Sequence, residues 1–295
     1  MGIGDADPDA NPFVRAGPEL PALLALMGGS IPTRPRPRTE GPGGRAFPLE
    51  ATLDVEGVPQ SGTGQAALLT GESTAEIYGR HFGPWTPVRL RPLVEERSLL
   101  RLASESGHEV AFANAYPRGW PGPRGGRRIA GPPLAARGAG VLDRHHEALA
   151  DGRAVASEIL NTGWREHLGH RGVPEITAEV AGRNLARISG EAQLTLYAHY
   201  ATDTAGHAHE MQAAVTALRL VDAFLAGLLD ELTADTLLLL ASDHGNLEDV
   251  RTGHTRNPAL GVARGPGAER ASALSDIREV TPLVLDLLGA GPVSG

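Results

Sequence analysis

The run Thr236–Ala241, TLLLLA, constrains this chain most: after its first residue it is wholly apolar, and it is too short for a long helix. Such a run reads as a strand buried on both faces, which belongs in a sheet covered by helices. Its surroundings agree. Leu218, Val221, Leu225, Leu228, Leu229 and Leu232 recur at helical spacing across residues 211–232, just before the run. Strand-like segments at 49–55, 108–115 and 194–200 alternate with helical patterns at 18–27, from Gln65, at 87–106, within 143–190 and at 276–288. The expectation is an α/β protein with a mostly parallel sheet and helices on both faces. Ligands of such sheets bind beyond the carboxyl ends of the strands.

Residues 31–46 and 117–140 are rich in Pro, Gly and Arg and read as irregular. The second stretch opens a small inserted cap, 117–186, between core segments 1–116 and 187–295. Aromatic residues make up only 4% of the chain, so the core must be built from Leu, Val and Ala. With no cysteine, disulfide scaffolds and thiolate zinc sites are excluded, and a reducing, cytoplasmic setting fits. A net charge of −8 disfavours nucleic acid as a partner. No apolar run reaches the roughly 18–20 residues of a membrane span, and residues 1–13 have neither the basic nor the apolar part of a signal peptide.

Four polar strings carry the chemistry. ATDTAGHAH follows the strand-like 194–200 and places Asp203 and His207 four residues apart, able to grip one divalent ion from one side or to serve as a helix cap and a surface histidine. SDHGN follows TLLLLA at once. Its adjacent Asp243 and His244 point to opposite sides of an extended chain, so they can serve one ion from two directions, contact two ions, or belong to a turn. TGHTRNPAL adds His254, with Arg256 two residues on as a candidate phosphate contact. Together these oxygen and nitrogen donors suit Zn²⁺ or Mn²⁺. In PQSGTGQAALLTG, Ser61 and Thr63 lie at the start of a helix, where free amides and the helix dipole favour a phosphate and a bound metal would activate a hydroxyl. Arg144, His145, His146, Trp164, Arg165 and the arginines of 34–38 and 124–128 are further candidates for substrate contact or for plain surface and packing roles.

Taken together, SDHGN, the GHTRNP loop, the upstream Asp-x-x-x-His and the serine before Thr-Gly-Gln resemble the alkaline phosphatase superfamily, in the branch of cofactor-independent phosphoglycerate mutase and phosphopentomutase. The resemblance covers about 47–115 and 190–290. It implies an alkaline-phosphatase-like core with two divalent ions, Mn or Zn. Asp203, His207 and His254 would hold one, and Asp243, His244 and Ser61 the other. Ser61, rather than Thr63, would be the nucleophile, passing through a phosphoserine. The substrate implied is a small phosphate ester. The short cap favours a phosphatase, with a phosphomutase second. A phosphodiesterase or sulfatase, or a non-catalytic relative, are further readings. The family also opens with an apolar strand ending in Asp-Gly, which supplies a ligand of the second metal. Here MGIGDADP starts just after that point, and Asp5, Asp7 and Asp9 lie beyond it. The expectation is a true start upstream.

Overall fold

A computed structural model describes residues 1–122, 126 and 128–290. Among these residues the strands are β1 (Thr39–Gly41), β2 (Gly44–Leu49), β3 (Val110–Phe112), β4 (Leu194–Leu196), β5 (Leu238–Ala241) and β6 (Ala259–Arg264). They form a four-stranded sheet in the order β1-β2-β6-β5 and a separate pair, β3-β4. Four helices matter for the site: α1 (Ser61–Thr70), α2 (Ala178–Ser189), α3 (Ala201–His207) and α4 (Met211–Glu231).

The α/β expectation holds, but the mostly parallel sheet does not. Every neighbour in the four-stranded sheet is antiparallel, and only β3 and β4 run parallel. A parallel neighbour needs a crossover, usually a helix. No helix lies between β5 and β6, so the chain turns back and pairs antiparallel, with Leu240 opposite Val262. Helices do cover both faces. On one side Leu218, Val221 and Leu225 of α4 and Leu185 of α2 pack with Leu238, Leu240, Leu260 and Val262. On the other, Ala67 of α1 and Val280 and Leu283 of the last helix pack with Phe47, Leu49, Leu239 and Ala263.

Several local expectations shift. The strand expected at 49–55 ends at Leu49, because Leu53 and Asp54 take positive φ values of 51° and 57° and turn the chain. The strand β1 and the first half of β2 fall inside the stretch expected to be irregular. A helix, Pro12–Ala16, interrupts the expected N-terminal loop, with Asn11 as its cap. The helix expected over 87–106 is broken at Ser98, whose backbone is extended and whose hydroxyl caps a new helix, Leu99–Glu105. The 21 residues of α4, with a mean hydropathy of 1.5, are long and apolar enough by themselves to cross a membrane. In the fold that length is laid against α2, with Leu218, Phe224 and Leu228 buried. Residues Ala115, Leu149, Ala154, Trp164 and Val173 form a small separate apolar cluster.

Candidate metal centre

Asp203 and His207 follow β4, and Asp243 and His244 follow β5. Beyond β4 the chain enters α3, which carries Asp203 and His207 one turn apart on the same face. Beyond β5 come Ser242, Asp243 and His244, and the returning loop brings His254 shortly before β6. Ser61 is the first residue of α1. Close approach of these pieces depends on two glycines. A Cβ on Gly64 of α1 would sit 2.6 Å from the Asp243 carbonyl oxygen, and one on Gly206 of α3 would overlap the Asn246 side-chain amide.

The fold gathers six of the seven candidate residues. Nε2 of His254 lies 3.0 Å from Nε2 of His207 and 3.4 Å from a carboxylate oxygen of Asp203. His207 is 3.4 Å from the other Asp203 oxygen. One donor atom from each of these three residues falls within 4.8 Å of the others. His244 Nε2 continues the cluster, 3.9 Å from Asp203 and 3.6 Å from Asp243. The Ser61 hydroxyl is 2.8 Å from the same nitrogen.

The tautomers suit metal binding. Nδ1–H of His254 can donate to the Pro59 carbonyl at 2.9 Å, and Nδ1–H of His244 to the Gly245 carbonyl at 3.2 Å. In each ring this leaves the Nε2 lone pair facing the cluster. His254 Nε2 and His207 Nε2 meet at 3.0 Å beside the Asp203 carboxylate, and either a proton or a metal ion between them satisfies the group. The donor set therefore fits a divalent ion.

The electrostatics follow from burial and close partners. Burial opposes ionisation of Asp203, yet the hydrogen bond from His254, the neighbouring His244 and the Asn246 amide outweigh it and hold the carboxyl below its usual range. Burial pulls His254 down, but its bond to Asp203 more than compensates and its pKa is raised. His244 is lowered, first by burial, then by His254 and the N-terminal ammonium, against the pull of Asp243. That ammonium donates to Ser242 Oγ at 2.7 Å and to the His244 carbonyl at 3.1 Å. It also helps to lower His199, at the end of β4, which burial takes down to about 4.

Sequence reasoning passed over the residues that hold the ligands. Glu248 is completely buried. One of its oxygens accepts from the Asn246 amide at 2.8 Å, and the other from the Thr255 hydroxyl at 2.5 Å and the Asn257 side chain at 3.2 Å. It thus ties the loop of His244 to the loop of His254. Asn246 extends the tie to α3 by donating to Asp203 at 2.6 Å. The signal was present in NLED and HTRN, polar residues alternating with the expected ligands, but only a shared buried partner reveals it.

The remaining candidates lie elsewhere. Thr63 is spent on α1 itself, its hydroxyl bonding Gln60 and accepting from Phe82. Arg256 is exposed and donates to the Gly57 carbonyl at 2.6 Å rather than to the cluster. Arg144 bonds the Arg153 carbonyl, His145 the Tyr116 carbonyl, and His146 stacks on His170. Trp164 is buried in the small apolar cluster and Arg165 pairs with Glu175. Arg34 pairs with Asp5, and Arg38 bonds the Ser272 and Leu274 carbonyls. Asp7 accepts from the amide of Asp9, which pairs with Arg15. Arg124 and Arg127 lie outside the described residues.

A family profile, the Metalloenzyme superfamily, matches residues 168–290, the stretch holding Asp203, His207, Asp243, His244 and His254. This stretch is similar to that superfamily, and the donor set fits divalent-metal use. Among curated proteins it is similar to, the 2,3-bisphosphoglycerate-independent phosphoglycerate mutase 2 of Methanosarcina acetivorans is 32% identical over 127 residues, covering 39% of this chain and 24% of the mutase. The chain thus spans about a quarter of that relative's length. In fold it is similar to a variant of the alkaline phosphatase of the Antarctic bacterium TAB5 with Mg bound: TM-score 0.52, 13% identity, covering 97% of this chain and 96% of that one. A cold-active alkaline phosphatase of Shewanella sp. gives a TM-score of 0.51 at 11% identity, covering 98% of this chain and 100% of that one.

Proposed function

We propose that the chain catalyses phosphoryl transfer from a small phosphate ester through a phosphoserine at Ser61. The observation that carries this reading is the Ser61 hydroxyl, 2.8 Å from His244 Nε2 at the rim of the donor cluster and at the first position of α1. Asp203, His207 and His254 would hold one divalent ion, Mn²⁺ or Zn²⁺, and Asp243 and His244, beside Ser61, a second. When bound, such ions supply Lewis-acid stabilisation of the attacking and leaving oxygens and lower the pKa of the serine hydroxyl.

The chain's own groups do the rest. The amides of Thr63 and Gly64 are engaged by the Phe82 and Gln60 carbonyls, so the amides of Ser61 and Gly62 are the ones at the start of α1 that would meet a phosphoryl group on Ser61. In the first step the Ser61 Oγ–P bond forms and the bond to the leaving alkoxide breaks. In the second, water or a substrate hydroxyl takes the phosphoryl group from Ser61. The segment 117–186, read as a small cap, favours water as acceptor, since a mutase must shelter its intermediate from solvent. A mutase is the second reading, supported by the likeness to the Methanosarcina acetivorans protein. The lack of cysteine fits a cytoplasmic setting.

The test is turnover of p-nitrophenyl phosphate by chain loaded with Mn²⁺ or Zn²⁺, with acid-quench capture of phosphoserine. Ser61→Ala is expected to lower turnover by at least about a thousandfold and to abolish the captured phosphoserine. Full activity in Ser61→Ala removes Ser61 as the nucleophile. Turnover of only the bis-p-nitrophenyl ester makes the chain a diesterase.

A further inference from the structure

Large apolar side chains are unevenly spread over the surface. Among the described residues five are exposed, and four of them, Val58, Ile77, Trp85 and Val88, come from the stretch 58–88, with Leu168 the fifth. That stretch contains Ser61 and the whole of α1. Single exposed apolar residues are ordinary, but their concentration in one stretch calls for a partner. Trp85 is the clearest case. The chain has three tryptophans; Trp164 is buried in its own cluster, whereas Trp85 stands 37% exposed.

The fold brings Val58 and Trp85 to the start of α1 on two loops. Val58 lies three residues before Ser61, in the loop whose Pro59 carbonyl accepts from His254 at 2.9 Å and whose Gly57 carbonyl accepts from Arg256 at 2.6 Å. Three residues of chain span at most about 11 Å, so Val58 stays within that reach of Ser61. The second loop, 79–87, locks onto the first turn of α1. The Thr63 amide donates to the Phe82 carbonyl at 3.0 Å, and the Phe82 amide to the Thr63 hydroxyl at 3.3 Å. A Cβ on Gly62 would sit 2.1 Å from the Trp85 carbonyl oxygen, and one on Gly83 would sit 3.3 Å from the Ser61 amide nitrogen. The backbone of Trp85 is therefore in contact with α1 one residue from Ser61. His81 joins the two loops, its Nε2–H donating to the Val55 carbonyl at 3.2 Å.

Burial sets the direction in which a bound ester points. Ser61 and His244 are buried, whereas the side of the cluster at His207 is open to solvent. In an in-line displacement the leaving oxygen lies opposite the attacking one. With attack from the buried Ser61, the organic part of the ester is carried outward, toward the two loops that frame the start of α1. An apolar group there removes exposed apolar surface of both loops from water, and burial of such surface is favourable.

We infer that Val58 and Trp85 determine substrate specificity by gripping the organic part of the phosphate ester, which is that of an aromatic or branched apolar alcohol. The inference rests on Ser61 as the attacking group. Trp85 supplies a flat face on which an aromatic ring stacks, and Val58 meets the same group from the other loop.

Two phosphonates that cannot be cleaved as esters test this: methylphosphonate and benzylphosphonate, titrated by calorimetry into the full chain loaded with Mn²⁺ or Zn²⁺. Benzylphosphonate is expected to bind at least about tenfold tighter and to change the tryptophan emission. Trp85→Ala should bring the preference down to about twofold and leave methylphosphonate binding as it was. Trp85→Phe should keep most of the preference, and Val58→Ser should cut it by about threefold. Four results overturn the inference: equal binding of the two phosphonates, binding of neither, a preference that survives Trp85→Ala, or a Trp85→Ala chain that loses both ligands alike, which would make the side chain a support of the loop. Should Trp85→Ala fail to fold, Trp85→Phe and Val58→Ser decide, and an unchanged preference in Val58→Ser is then equally fatal. The reaction is judged separately. A Trp85-dependent preference without turnover of any ester removes the phosphoryl-transfer reading and leaves the recognition, whereas turnover of p-nitrophenyl phosphate without the preference does the reverse.

Discussion

The two halves of the donor cluster are built differently. Asp203, His207 and His254 converge at a rim that opens to solvent on the His207 side, where that side chain is 52% exposed. Asp243, His244 and Ser61 meet in the interior, with the His244 side chain 2% exposed and the Met1 ammonium on its carbonyl. The open half has three donors on one point and reads as complete by itself. The buried half has two donors and a hydroxyl. Ligand identity is a local matter in both halves, whereas their burial is set by what packs around them.

The largest expected effect breaks the open half alone. Asp203→Ala removes the carboxylate between His207 and His254, so metal affinity measured by calorimetry should fall by about a thousandfold while the far-ultraviolet spectrum is kept. Unchanged affinity would show that the three residues do not form a metal centre. The next change strikes both halves at once. Glu248→Ala leaves one buried and two half-buried donors without their acceptor and should cost about 3 kcal/mol in urea unfolding. Glu248→Gln keeps part of the bonding and should cost less. If either variant perturbed only one half, the buried carboxylate would not be what joins them.

A smaller effect tests the interior at the end of β4. His199 has its pKa taken from 6.5 to about 4 by burial, so the unfolded chain binds the proton first as pH falls. The neutral ring's contribution is fully present above about pH 6.5 and is lost as pH drops toward 4, amounting to roughly 2 kcal/mol near pH 5. His199→Gln should flatten that part of the stability profile, and an unchanged slope would mean that the ring is not held neutral. The smallest effect concerns the rim. Arg256 is exposed and bonded to Gly57, so Arg256→Ala should raise KM for a phosphate ester by only about threefold and leave kcat unchanged. A large fall in kcat would place Arg256 at the reacting atoms.

The donors were legible in sequence because each is set by a few contiguous residues: an apolar run, then Ser-Asp-His-Gly, or Asp and His one helical turn apart. The α2–α4 layer was partly legible for the same reason, since the period of α4 is written in Leu218, Val221, Leu225 and Leu228. The strand β6 was not. Its Gly261 lies flat on the Phe47 ring, and its apolar residues carry no alternation because helices and sheet bury both faces. Glu248 was equally hidden, being one acidic residue in a polar loop until the fold closes Thr255 and Asn257 over it.

By itself the sequence determined the α/β character, the helices with a marked apolar period and the residue types able to bind metal, all properties of short segments. Only tertiary structure decided that the four-stranded sheet is antiparallel and that Ser61 meets His244 from 183 positions away. The physical reason is the same in each case. Ladder bonds, burial and shifted pKa values belong to pairs of groups, and which groups become pairs is settled by packing across the whole chain.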